Sequence, residues 1–416
     1  MRMLASGRRC HGLLRCSVPA SPTVRFGQNQ AALQRRHGRR EIYYRALTDI
    51  VYDVNLLGVT MVLPINGLAT GIGSLPFLDE YEAVNFVLKS LPKIPHWPQL
   101  PGKGEQEGFV FQYLYPLVKS ELLSIKDGQA YFDTAHPDWI DRLTCFYSLY
   151  LEAESGNPEA LEQFSFPRSA AAGFYAFEEL IGKEGHTEAV YFKGQLTGPL
   201  TVGFQIKDEK GRQAYYDEQL RDILVKSLAM HARWQANKLA ALGQPVIVFI
   251  DEPAISVYGQ VSYITISTEM IQNDISAIVK SIHESGAHAG VHSCDEVDWS
   301  LLFGVDLDIV SLDVYNYGDS LLHCAQEMKS FLDRGCVMAW GIVPTNEDAF
   351  KVTDDSLLLL LKKLWQELVN RGMDMEVLKK QSMITPACGT GLLSKELTER
   401  IYQLNSQISD KIRVEL

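Results

Sequence analysis

Two stretches, VIVFIDEPA at 246–254 and AGVHSC at 289–294, decide how this chain is read. Each is a short apolar run that stops abruptly at polar residues, Asp251-Glu252-Pro253 in the first and His292-Ser293-Cys294 in the second. The runs are continuous rather than alternating, as expected of strands buried on both faces. Between them Ile271, Ile275, Ile278, Val279 and Ile282 recur on one face of a helix. A buried strand, an amphipathic helix and a second buried strand predict a parallel β/α unit.

The same alternation extends outward in both directions. Strands are predicted at 68–72, 189–195, 246–250, 289–292, 308–312, 336–340 and 383–385, with one more between 92 and 132 that no single run marks. Leu220, Ile223, Leu224 and Leu228 predict a helix ahead of Val246, and Leu397, Ile401 and Leu404 predict the last one. Residues 109–183 read as a large insertion, a hairpin plus two or three helices. Eight β/α units over about 350 residues predict an α/β fold, a (β/α)8 TIM barrel, as one domain over 64–416 with an insertion after the early strands. An open dinucleotide-binding sheet fits less well, because Gly71-Ile72-Gly73 lacks the third glycine of that fingerprint.

Residues 1–63 stand apart as an N-terminal extension. The first 40 carry nine arginines and no Asp or Glu. That composition matches an organellar transit peptide, or upstream sequence translated from a start placed too early. The second fits better, since no amphipathic helix with a cleavage context is evident. A cytoplasmic location follows from that reading, an organellar one from the other. Without those 40 residues the chain has 30 basic and 51 acidic residues, a net charge of −21. Such a body repels phosphate backbones, which excludes nucleic acid as a partner. No apolar run approaches the roughly 18 residues of a membrane span; the longest, the five leucines 357–361, reads as a buried helix face. Seven cysteines in this length are not a disulfide framework. Cys145, Cys324 and Cys336 lie in apolar surroundings and are predicted core residues.

In a barrel of this kind the active site lies where the strands end, and the polar residues gather there. Ser74 follows the first strand, Asp251 the fourth, His292 and Cys294 the fifth, Asp313 the sixth and Cys388 the eighth. His292 and Cys294 are two apart, so on an extended chain they point the same way. Imidazole with soft thiolates favours zinc. Cys388, between Pro386 and Gly389, marks a strand-to-loop exit that can bring a second thiolate to the same ion.

In this order and context, IGS at 72–74, QLTGPLT at 195–201, IDEPA at 250–254, HSC at 292–294 and PACG at 386–389 resemble the catalytic domain of cobalamin-independent methionine synthase. The wider group includes uroporphyrinogen decarboxylase and the corrinoid-to-thiol methyltransferases, and the resemblance runs from about Gly67 to the C-terminus. It implies a zinc-dependent S-methyltransferase whose ion is held by His292, Cys294, Cys388 and a carboxylate, here Asp313. It also implies a homocysteine site formed by the backbone at Ile72, by Ser74 and by Asp251, with Glu252 structural. His96 and Trp97 could shape the mouth of the site, but a packing loop fits IPHWPQLP better. Asp295 and Glu296 are expected to start the next helix.

The sequence departs from the family in two places. There is no second N-terminal barrel, and the position after the seventh strand, Trp340-Gly341-Ile342-Val343-Pro344, holds no histidine. That histidine is implicated in protonating folate as it leaves, so a methyl-corrinoid, free or on a corrinoid protein, is favoured as donor over methyltetrahydrofolate. Two alternatives belong to other classes: a porphyrin decarboxylase, disfavoured by the lack of any arginine between Asn66 and Gln106, and a non-catalytic corrinoid or thiol binder.

Overall fold

Nine strands form where the apolar runs and turns allow, as seen in a computed structural model that describes residues 63–126, 128–185, 188–260 and 265–416. They are β1 (Leu123–Lys126), β2 (Gln129–Phe132), β3 (Phe192–Thr197), β4 (Lys207–Asp208), β5 (Val246–Asp251), β6 (His288–Ser293), β7 (Ile309–Asp313), β8 (Val337–Val343) and β9 (Ser382–Pro386). Six of them pair in parallel, in the order β3-β5-β6-β7-β8-β9, as a half-barrel sheet with helices packed against it. The six strands predicted in this region match these to within three residues at either end. The extension expected at 1–63 lies outside the described residues, apart from its last position. Leu63 is buried with Ile65 in the sheet's inner cluster, so the core begins before residue 64.

The register divides the strands' side chains into two cores. Thr197 lies beside Asp251, Asp251 beside His292, His292 beside Ser311, Ser311 beside Ala339 and Ala339 beside Met383. Registered neighbours share a face, so these six project from the same side of the sheet. The apolar positions of that face, Ile247, Phe249, Ile309, Val337, Ala339 and Met383, form one cluster with Leu63, Ile65, Leu68 and Ile94. Alternate residues, among them Val248, Ile250, Val291, Val310, Leu312 and Ile384, belong to the larger cluster that includes the helices' apolar faces. Gly290 is required on the inner face, because a Cβ there would stand 2.4 Å from the Phe249 ring.

The edges of the sheet explain why two predicted strands are not strands. The 68–72 segment makes a single parallel bridge, Ala69 with Ile384. Its ladder is Ile384 N to Leu68 O and Thr70 N to Ile384 O, both 3.0 Å. Within 92–132, where one strand is expected, β1 and β2 belong to the other sheet, and what borders the six-stranded sheet is the IPHWPQLP segment, bridged at His96 to Lys193 and at Gln99 to Ser74. Pro95 and Pro98 have no N–H to donate, so a ladder cannot run through them. Gln235, from the helix Glu218–Ala240, covers the gap on the edge of β3. Its Oε1 accepts from Gln195 N at 3.0 Å and from Trp97 Nε1 at 2.8 Å, while its Nε2 donates to Gln195 O at 3.1 Å.

The insertion holds the β1–β2 hairpin and helices Trp139–Glu154, Pro158–Glu162 and Ala172–Glu184. The hairpin gains a parallel partner, β4, from outside the predicted insertion. Two expectations about burial need correction. Of the five leucines, Leu357, Leu358 and Leu361 are buried, but Leu359 and Leu360 are exposed, because an α-helix turns about 100° per residue and carries two of any five away from the core. Cys145 is exposed rather than core, since helix Trp139–Glu154 buries Trp139, Phe146 and Ala153 instead; Cys324 and Cys336 are buried as expected. Among the described residues no helix is long and apolar enough to cross a membrane.

One charged cluster, at the N-terminal ends of β6 and β7, predicts a pH dependence. Asp308 accepts from His283 Nε2 at 2.8 Å and from Ala289 N at 2.7 Å, with His288 at 3.6 Å. The hydrogen bond to Asp308 holds His283 above its ordinary 6.5. Burial alone would raise the Asp308 carboxyl, but these partners hold it well below its ordinary 3.8. The raised His283 contributes stability that is fully present below 6.5 and lost as pH rises through its folded value. The depressed Asp308 contributes above 3.8 and loses that as pH falls. His283→Gln is therefore expected to lower the urea midpoint more at about pH 5.5 than at about pH 8.5. An equal gap at both pH values would refute the coupling.

Candidate metal centre and amino-acid site

His292 is the penultimate residue of β6 and projects to the inner face; Cys294 follows two positions on, just past the strand. Cys388 lies two residues beyond β9. Parallel strands bring these chain-distant residues to one rim, where His292, Cys294 and Cys388 offer ligand atoms all within 4.8 Å of one another. His292 Nδ1 is 3.0 Å from Ser311 Oγ, its registered neighbour on β7, while Nε2 is buried without a partner. An imidazole anchored through one nitrogen and open at the other is prepared as a metal ligand. Gly389 packs against Ser74: a Cβ there would stand 2.3 Å from Ser74 Oγ and force that hydroxyl to move.

The two thiols are unequal. A hydrogen bond from Cys294 holds Cys388 below the usual thiol range despite burial, and the same contact, with burial, pushes Cys294 up. A charge on either thiol disfavours one on the other, and ionising both calls for a cation between them. The donor set of one imidazole nitrogen and two sulfurs fits zinc on this geometry and chemistry.

Asp313 sits nearby but is otherwise engaged. It is the N-cap of the short helix Val314–Tyr317, with Oδ1 accepting from Asn316 N at 2.9 Å and Oδ2 from Asn316 Nδ2 at 2.6 Å. It is not among the three residues whose ligand atoms converge. Asp295 and Glu296 do not start a helix; they are exposed in the loop, and Asp298 bonds the N–H of Ser300 instead.

Among the residues expected to bind an amino acid, Asp251 is registered with His292 and 5% exposed, with Oδ1 unpartnered. Burial pushes its carboxyl upward, and Lys193 and His292 pull it back. Ile72 O accepts from Lys193 Nζ at 2.7 Å. Ser74 holds the loop after Cys388: its Oγ accepts from Gly391 N at 3.2 Å and its carbonyl from Thr390 N at 3.1 Å. His96 and Trp97 are packing residues. His96 is fully buried between Trp97 O and Tyr402 Oη, and burial together with Lys193 pushes its imidazole down to about 3.

Four inner-face or neighbouring residues escaped the sequence reading. Ser311 orients His292. Tyr113 bonds Gln195 O at 3.1 Å and feels the Asp251 charge. Thr385 is buried with its hydroxyl unpartnered. Lys193 is fully buried. Only Lys193 left a signal, as the lone charge inside the apolar run AVYFKGQLT.

No protein-family model and no curated protein matches the chain. Among solved structures it is similar to a B12-independent methionine synthase from Shewanella sp. W3-18-1 in complex with selenomethionine, at 13% identity and TM-score 0.49, over 85% of this chain and 99% of that one. It is also similar to the tandem GH20 catalytic modules of a pneumococcal exo-β-D-N-acetylglucosaminidase, at 10% identity and TM-score 0.34, over 69% of this chain and 72% of that one. At these distances the reading of the chemistry rests on the residues themselves.

Proposed function

We propose that the chain is a (β/α)8-barrel, zinc-dependent methyltransferase that moves a methyl group to the thiol of an amino acid, with homocysteine the leading acceptor. The observation that carries this reading is the convergence of His292, Cys294 and Cys388 at the strand ends. The barrel is supported by the bridges at Ala69, Ser74 and His96, which continue the parallel pairing beyond both edges of the six-stranded sheet. The two extended segments there stand for the first two strands.

His292, Cys294 and Cys388 would hold the ion, leaving a fourth position open to substrate sulfur. Zinc so bound supplies the Lewis acidity that keeps a coordinated thiol deprotonated near neutral pH. Asp313 is not needed as a ligand while its two oxygens serve Asn316. Asp251, with a buried free oxygen, takes the substrate ammonium. Ser74 and the Ile72 backbone flank the other end of the amino acid. The sulfur–carbon bond forms as the donor–methyl bond breaks, and that electron pair stays with the donor.

A methyl-corrinoid is the favoured donor. Gly341 occupies the inner face of β8, registered with Asp313 and Thr385, and brings no acid to protonate a folate nitrogen. Purified protein offered L-homocysteine is expected to form methionine from methylcobalamin faster than from methyltetrahydrofolate. Turnover with folate alone would reverse the donor assignment, and no turnover with either would leave the transferase reading without support.

A further inference from the structure

Lys193 is fully buried on the inner face of β3, where its registered neighbour is Ile247. A charged ammonium in such a place is unfavourable unless it is partnered, and an apolar side chain of the same length would pack at less cost. Its Nζ donates to Ile72 O at 2.7 Å, approaches Gln195 Oε1 at 3.4 Å and lies 4.5 Å from the centre of the Phe249 ring. Lys193 and Phe249 share that face with Asp251, and each of Lys193 and Asp251 offsets the other's burial. One side chain therefore touches the 72–74 turn and shares the sheet's inner face, and an electrostatic interaction, with Asp251.

We infer that Lys193 is the positioning residue of that site, pinning the 72–74 turn and balancing Asp251 so that the pocket takes a zwitterionic α-amino-acid thiol. The inference rests on the amino-acid reading of Ile72, Ser74 and Asp251 given above. Lys193 and Asp251 together are net neutral. A zwitterion preserves that neutrality, whereas an aminothiol without a carboxylate leaves a buried positive charge and a mercapto acid without an amine leaves a negative one. Lys193 acts through the turn and the acid, not on the reacting atoms.

The test is calorimetric binding of three thiols to wild type and Lys193→Met: L-homocysteine, 3-aminopropane-1-thiol and 4-mercaptobutanoate. Zinc content and melting temperature are measured on both proteins. Wild type is expected to prefer homocysteine to both truncated thiols. In Lys193→Met, homocysteine affinity is expected to fall about tenfold or more while the aminothiol holds or gains, at unchanged zinc. General damage to the pocket would weaken all three thiols together. An unchanged preference in the variant overturns the role of Lys193 alone. A variant that fails to fold also overturns it, by assigning the lysine to the core. A wild type that does not prefer homocysteine overturns the amino-acid reading, and Lys193 falls with it.

Discussion

Cys388→Ala is expected to strip the protein of zinc and to abolish methyl transfer together. Wild type purified under reducing conditions should hold close to one zinc per chain, and the variant less than roughly a tenth of that. With three converging protein ligands, removing one leaves a two-point site, and two ligands do not hold zinc against buffer. Loss of the ion takes with it the means of ionising the substrate thiol, so transfer should fall by about a thousandfold or more. Measured against zinc-stripped wild type, stability should change little, within about 1 kcal/mol in urea, because Cys388 lies past the end of β9 and is only partly buried. That separation of effects gives the experiment its force: a variant that melts like zinc-stripped wild type and takes up no metal places the defect at the site. Zinc retained at wild-type level in Cys388→Ala would falsify the assignment.

What could be read from the sequence follows from what local geometry encodes. His292 and Cys294 were legible because a strand's period of two puts both on one side, whatever the rest of the fold does. Asp251 was legible as the residue where a buried run turns polar. Helix Thr268–His283 buries the five residues its spacing named. Lys193 was not legible as a site residue, since its partners Ile72 and Asp251 are 121 and 58 positions away and only the register of β3 with β5 brings them together. Gln235 was hidden for the same reason: it pairs with the backbone of Gln195, 40 positions away, from a different element. Asp313 is the opposite case: the resemblance implied a ligand, while in the structure a local interaction with Asn316 three residues on engages both its oxygens. Cys145 was misjudged because apolar neighbours in sequence are not neighbours in space on a helix.

Glu252→Ala is expected to be among the most destabilising single changes near the site, by about 3–5 kcal/mol in urea unfolding. The helix Pro199–Gln205 begins at Gly198, which has no side chain to cap it. Glu252, the residue after β5, does so from outside: its Oε2 accepts from Leu200 N at 2.9 Å and its Oε1 from Thr201 N at 2.7 Å, with the Thr201 hydroxyl as a third partner. Gly198 is obligatory there, since a Cβ would stand 2.2 Å from Glu252 Oε2. Truncation to alanine leaves two backbone donors unpaired in a fully buried place, whereas glutamine keeps one acceptor and should cost only about 1–2 kcal/mol. Burial pushes the Glu252 carboxyl up to about 7 against the pull of Thr201 and Leu200. A raised acid contributes stability that is full below its ordinary 4.5 and lost as pH rises through about 7, so wild type should lose ground to Glu252→Gln above neutrality. The change should reach the site too, because Asp251 is the adjoining residue and Gly198 N donates to its carbonyl at 2.8 Å. Weakened homocysteine binding at full zinc content in Glu252→Gln would mark that coupling; an alanine variant as stable as wild type would refute the capping role.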